Sequence, residues 1–142
     1  MNRKTGDQTG ANPDLELSGQ AAEKEKLDRI AAMTQAAVAA IEDKKGQDAQ
    51  VLQVTEKTTL ADVFILASGT SSIHVKTLAE AVEERLEELF GLRPDHIEGL
   101  ENRSWVLLDY GDLIVHLMQP EDRMHYQLEN LWRVDLNRKQ LD

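Results

Sequence analysis

The side chains best equipped for chemistry in this sequence fall into two short stretches. Asp109, Asp112 and His116 lie close together around Tyr110-Gly111-Asp112, and carboxylates beside an imidazole are the usual material of a metal site or a general acid and base pair. Ser68-Gly69-Thr70-Ser71 stands between an apolar run and a helical pattern, where backbone N–H groups at a helix start can cradle a phosphate. Each stretch also has a plainer reading. Asp beside a tight turn commonly accepts backbone hydrogen bonds. His116 inside an apolar strand is more often a packed, hydrogen-bonded imidazole than a ligand, and the Ser-Gly-Thr-Ser turn suits a helix cap. Nucleotidyl transfer, the strongest rival activity, would also need two acids one residue apart on one strand face to hold Mg²⁺. The strand candidate after the helix offers Asp95, His96, Ile97 and Glu98, with Asp95 and Glu98 on opposite faces. The expectation is a protein that is not an enzyme and holds no cofactor or metal.

Composition narrows the partners. The 142 residues carry 16 Lys and Arg against 26 Asp and Glu, a formal net charge of -10, which opposes broad contact with a phosphate backbone. A basic protein partner suits this charge, and direct DNA binding does not; moderate acidity also simply aids solubility. With no cysteine, disulfides, thiolate metal sites and thiol catalysis are all excluded, and a reducing compartment is compatible. No apolar run reaches the roughly 18 to 20 residues of a membrane span. Two basic residues near Met1 have no apolar stretch behind them, so the expected location is cytoplasmic.

The elements that must position these residues follow from periodicity. Residues 1 to about 20 lack apolar clusters and read as a flexible tail, with a domain expected over 27–133 and an extension over 134–142. From Leu27 the series Ile30, Ala31, Thr34, Ala37, Val38 and Ile41 steps by three and four, predicting an amphipathic helix that stops at Lys44, Lys45 and Gly46. Val51 to Val54 is a short strand candidate, and the continuous apolar run at 62–67 suits a central strand covered on both faces. Ser71 or Ser72 can cap a helix whose stripe is Val75, Leu78, Ala79, Val82, Leu86 and Leu89, ended by Gly91. An extended piece runs from Pro94 through Ile97, and W-V-L-L-D and L-I-V-H-L-M flank Tyr110-Gly111-Asp112 as a hairpin. Pro120, Glu121 and Asp122 open a last helix reaching Trp132. The order helix, strand, strand, helix, strand, strand, strand, helix predicts one α/β or α+β domain with a single mixed sheet of about five strands and flanking helices.

Four stretches together resemble a known family. A-D-V-F-I-L-A-S-G-T-S-S at 61–72, I-E-G-L at 97–100, W-V-L-L-D-Y-G-D-L-I-V-H at 105–116 and Y-Q-L-E-N-L-W at 126–132 have the order and spacing of Iojap-like ribosomal silencing factors. I-E-D-K-K-G-Q-D at 41–48 is similar to the end of the family's first helix, and the likeness spans residues 30 to 132. It implies a nucleotidyltransferase-like topology without the catalytic carboxylates and a homodimer when free. It further implies a factor that binds the large (50S) ribosomal subunit through ribosomal protein fourteen and blocks joining of the small subunit, repressing translation when nutrients run short. The amino-terminal tail and Val134 to Asp142 fall outside the shared motifs.

Alternation in W-V-L-L-D puts Trp105, Leu107 and Asp109 on one face and Val106 with Leu108 on the other, so both faces carry apolar groups. Three helices over five strands leave apolar surface for a partner or a second copy. Trp105 buried under the amino-terminal helix is the alternative, and the resemblance favours Trp105 and Tyr110 as partner contacts. The expected partner-binding residues are Trp105, Leu107, Asp109, Tyr110, Gly111, Asp112, His116, Glu121, Tyr126 and Glu129. A nucleotidyltransferase-like enzyme and a pure homodimerisation module remain the alternatives.

Overall fold

In the computed structural model, residues 13–54 and 61–126 are described. The chain divides into two compact units, residues 1–32 and 33–142. Helix α1, Pro13–Asp43, begins well before Leu27, so residues 13–26, expected in the flexible tail, are helical; residues 1–12 lie outside the described residues. The expectation rests on apolar burial, and residues 18–25 are exposed. What favours the helix is local: Pro13 at the first position, Ala, Glu, Lys and Leu with high helix propensity, and an i,i+4 Lys24–Asp28 ion pair at 3.1 Å. Leu27, placed on the expected apolar stripe, is exposed.

In the second unit α1 ends with Met33, Ala36, Ala37, Ala40 and Ile41 buried, one helical face. Strands β1 (Gln47–Gln53), β2 (Val63–Ser68), β3 (His96–Glu98), β4 (Trp105–Asp109) and β5 (Leu113–Met118) form one sheet, with α2 (Ser72–Phe90) between β2 and β3 and α3 (Pro120–Tyr126) after β5. The strand order is β1-β2-β5-β4-β3. β2 and β5 are parallel, and the other neighbours are antiparallel. Every residue of β2 and β5 is buried, as continuous apolar runs in central strands require. β1 starts earlier than Val51, because Asp48 at φ 52° absorbs a register shift between Gln47 and Gln50.

Helix α2 is capped by Ser71, whose Oγ accepts the His74 N–H, and stops at Gly91, where the Gly91 N–H donates to the Glu87 carbonyl and the Leu92 N–H to the Leu86 carbonyl. Its stripe Val75, Leu78, Ala79, Val82 and Leu86 is buried, while Leu89, expected to join it, is exposed. The hairpin between β4 and β5 turns at Gly111, φ 87°, a conformation that a Cβ disfavours. The Asp109 carboxylate caps this turn, accepting the Gly111 N–H at 2.8 Å.

Strand parity sorts the sheet into two faces. Val63, Ile65 and Ala67 of β2, Leu113, Val115 and Leu117 of β5, and Val106 and Leu108 of β4 share one face. The other carries Phe64 and Leu66, Ile114, His116 and Met118, and Trp105, Leu107 and Asp109. On that face Val54, Ala61, Phe64, Leu66, Ile114 and Met118 form a core cluster, with Leu52, Trp105 and Leu107 partly buried against it. α2 contributes none of this cluster.

Candidate functional site

Residue pairing across the sheet builds the second face into rows. Leu66, His116 and Leu107 stand side by side on β2, β5 and β4, and Glu98 of β3 follows Leu107. Phe64, Ile114 and Asp109 form the next row, which His96 continues. Ser68, Met118 and Trp105 form the third. The result is an apolar centre around a half-buried indole. It has an acidic border at the β3 edge, where Glu98 accepts a hydrogen bond from His96 at 2.8 Å.

His116 sits in the middle of this face with 6% exposure. The Trp105 Nε1–H donates to His116 Nδ1 at 3.2 Å. The Phe64 ring lies 4.9 Å from the imidazole, tilted by 59°. An indole N–H can only donate, so Nδ1 must hold a lone pair and the neutral ring carries its proton on Nε2. That Nε2 is buried and has no hydrogen-bond partner among the described residues. Burial pushes the imidazole down to about 4, because a charge in this apolar setting loses its hydration. His116 is therefore a neutral, packed ring at physiological pH, with its acceptor nitrogen already engaged.

The remaining expected site residues scatter. Tyr110 turns away from Trp105: its phenol is raised by burial and then by Glu83 and Glu87 of α2, and its hydroxyl is buried without a hydrogen-bond partner among the described residues. One surface centred on Trp105 thus does not include it. Gly111 and Asp112 make the hairpin turn, and the Asp112 carbonyl accepts the N–H groups of Asp62 and Val63 at 2.9 and 3.1 Å. Glu121 is exposed in the first turn of α3. Tyr126 ends α3, its side chain and all of Glu129 lying outside the described residues. Among the described residues no group of three His, Asp or Glu could hold a metal ion.

The Ser68-Gly69-Thr70-Ser71 turn is occupied by the protein itself. Gly69 N–H donates to the Met118 carbonyl at 2.9 Å, Thr70 N–H to His74 Nδ1 at 2.8 Å and His74 N–H to Ser71 Oγ at 3.1 Å. Ser68 Oγ accepts the buried Arg123 guanidinium at 3.1 Å. Three backbone donors of this turn, those of Gly69, Thr70 and His74, are thus engaged internally. His74, which sequence reasoning missed, also donates from Nε2 to the Lys44 carbonyl at 2.8 Å. It ties the α1–β1 turn to the β2–α2 turn. Its signal was a histidine in the first turn after a Ser cap. Phe64, Leu66 and Met118 were missed as neighbours of Trp105 because strand register is not readable from one strand.

Comparison with known proteins adds the family. The model of the family RsfS, ribosomal silencing factor during starvation, matches residues 27–142. The ribosomal silencing factor RsfS of Chromobacterium violaceum is 40% identical over 103 residues, 72% of this chain and 84% of that protein. The protein of the same name from Bacillus subtilis is 33% identical over 96 residues, 68% of this chain and 80% of its own length. A crystal structure of a Chromobacterium violaceum protein has the same fold with a TM-score of 0.70 at 40% identity, covering 72% of this chain and 85% of the other.

Proposed function

The chain belongs to the ribosomal silencing factor (RsfS) family, and from that premise we propose that it represses translation by docking on the large ribosomal subunit. The docking is through ribosomal protein fourteen, and the bound factor keeps the small subunit from joining when nutrients are limiting. It acts by occupying a surface, without a catalytic step.

The observation that supports this reading most is the Trp105 face. A half-buried tryptophan and Leu107 rest on a firm apolar cluster to which α2 adds nothing. Aromatic anchors of this kind dominate binding energy at protein interfaces. Asp109 and Glu98 border the patch, and the chain carries a net charge of -10, which complements the basic surface of a ribosomal protein. The same apolar face is the one that a second copy would cover, so a free homodimer would exchange its self-contact for the ribosome.

Co-sedimentation tests the reading: the wild-type chain should travel with isolated large subunits and not with small ones. Trp105→Ala should weaken that binding by roughly thirty-fold to a thousand-fold, from a loss of about 2 to 4 kcal/mol at an anchor. A thermal melt of the variant separates lost binding from lost folding. A folded Trp105→Ala chain that binds as tightly as wild type would remove Trp105 from the docking surface.

A further inference from the structure

His116 poses a question that docking alone does not answer. It interrupts an otherwise apolar strand, L-I-V-H-L-M, at a position where Leu66 and Leu107 are its cross-strand neighbours. A leucine there would complete the row. The imidazole instead leaves Nε2 buried with no partner among the described residues, and a stranded polar atom is destabilising. A residue that costs stability at the centre of a sheet calls for a compensating role, and beside its ring contact with Phe64 the imidazole makes a hydrogen bond that a leucine could not make. It accepts the Trp105 indole N–H at 3.2 Å.

The geometry of that contact matters. Trp105 lies directly opposite Met118, whereas His116 lies opposite Leu107, so the indole reaches its acceptor along the diagonal of the β4–β5 ladder, a distance long aromatic side chains can span. The ring must lean along the strand to do so. The imidazole is itself wedged, with the Phe64 ring at 4.9 Å and the indole at 6.0 Å, so the acceptor cannot swing away to follow a wandering indole.

We propose that His116 is a positioning residue, a neutral buried imidazole whose Nδ1 lone pair holds the Trp105 indole in one orientation on the docking face. The partner then meets a preset aromatic surface and does not have to order it on binding. The proposal rests on the docking reading above and adds that His116 works through Trp105 without touching the partner.

Two substitutions separate positioning from plain packing. His116→Leu fills the row and removes the acceptor. In His116→Asn the side-chain oxygen stands as many bonds from Cβ as Nδ1 does, which keeps the acceptor. The full-length chain, labelled with ¹⁵N, reports the indole N–H directly, and Trp105→Phe assigns its signal. In the wild type that proton should exchange with solvent slowly. In His116→Leu it should exchange faster, and affinity for isolated large subunits should fall by about three- to tenfold, the effect of freeing one side chain that binding must then order. The Leu chain should nevertheless unfold no more easily than wild type, and His116→Asn should recover most of the lost affinity. Affinity that falls equally in both variants, in step with stability, would overturn the proposal. So would a wild-type Trp105 proton that exchanges like a free indole, a result that decides the matter even if His116→Leu does not fold. Normal binding by wild type and His116→Leu alike would overturn the positioning role alone, whereas no binding by wild type would overturn the docking reading itself.

Discussion

Acid should destabilise this fold through one histidine before the carboxylates respond. A free imidazole titrates near 6.5 and the buried His116 near 4, so as pH falls the unfolded chain takes up the proton first. The folded value lies below the unfolded one. The stability that His116 contributes as a neutral ring is therefore complete above about pH 6.5, declines through the window down to about 4, and is gone below it. Linkage between those two values puts the loss at about 2 kcal/mol between pH 7.5 and pH 5. Glu83, raised by burial and then by Glu80 and Glu87, works in the opposite sense, favouring the fold as pH falls; it is common to wild type and variant and cancels in their difference. The assay is urea unfolding of wild type and His116→Leu at matched pH values, with the difference in unfolding free energy plotted against pH. The wild type should lose about 2 kcal/mol more than the variant over that interval. Parallel pH profiles for the two proteins would refute a neutral, buried His116.

Two other residues test the frame around the site. His74→Ala removes the acceptor of the Thr70 N–H and the donor to the Lys44 carbonyl; the urea midpoint should drop with an unchanged slope, by about 1 to 2 kcal/mol for two partly solvated hydrogen bonds, and an unchanged midpoint would show the staple to be idle. Gly99 has φ 88° and a Cβ there would collide with the Trp105 carbonyl, so Gly99→Ala should cost about 2 kcal/mol or more and expose the amides of the β3–β4 ladder to hydrogen exchange, and wild-type protection there would contradict this close approach.

Much of the fold is legible because its strongest signals are local. The runs at Val63–Ser68 and Leu113–Met118 are apolar without interruption, and both strands are buried on both faces. The α2 stripe follows the helical period as far as Leu86. Leu89 keeps the period yet is exposed, since periodicity tells which side a residue occupies but not whether anything lies opposite it. The helical start of α1 is hidden from the apolar period for the converse reason, because an exposed stretch such as residues 18–25 rests on propensity and carries no burial pattern. Within the site, alternation alone gathers Trp105, Leu107 and Asp109, and the same alternation puts Tyr110 with Val106 and Leu108. The resemblance to the family drew Tyr110 toward Trp105, but the strand period separates them. Phe64, Leu66 and Met118 come beside Trp105 and His116 only through the parallel pairing of β2 with β5, a long-range register that no local pattern encodes.

Subunit joining tests the central claim most directly. Purified large subunits, preincubated with increasing amounts of the chain and then mixed with small subunits, are followed by light scattering or on sucrose gradients. The joined fraction should fall as the chain saturates the large subunits, and Trp105→Ala at the same concentrations should leave most subunits joined. A joined fraction unchanged at saturating wild-type protein would contradict the account.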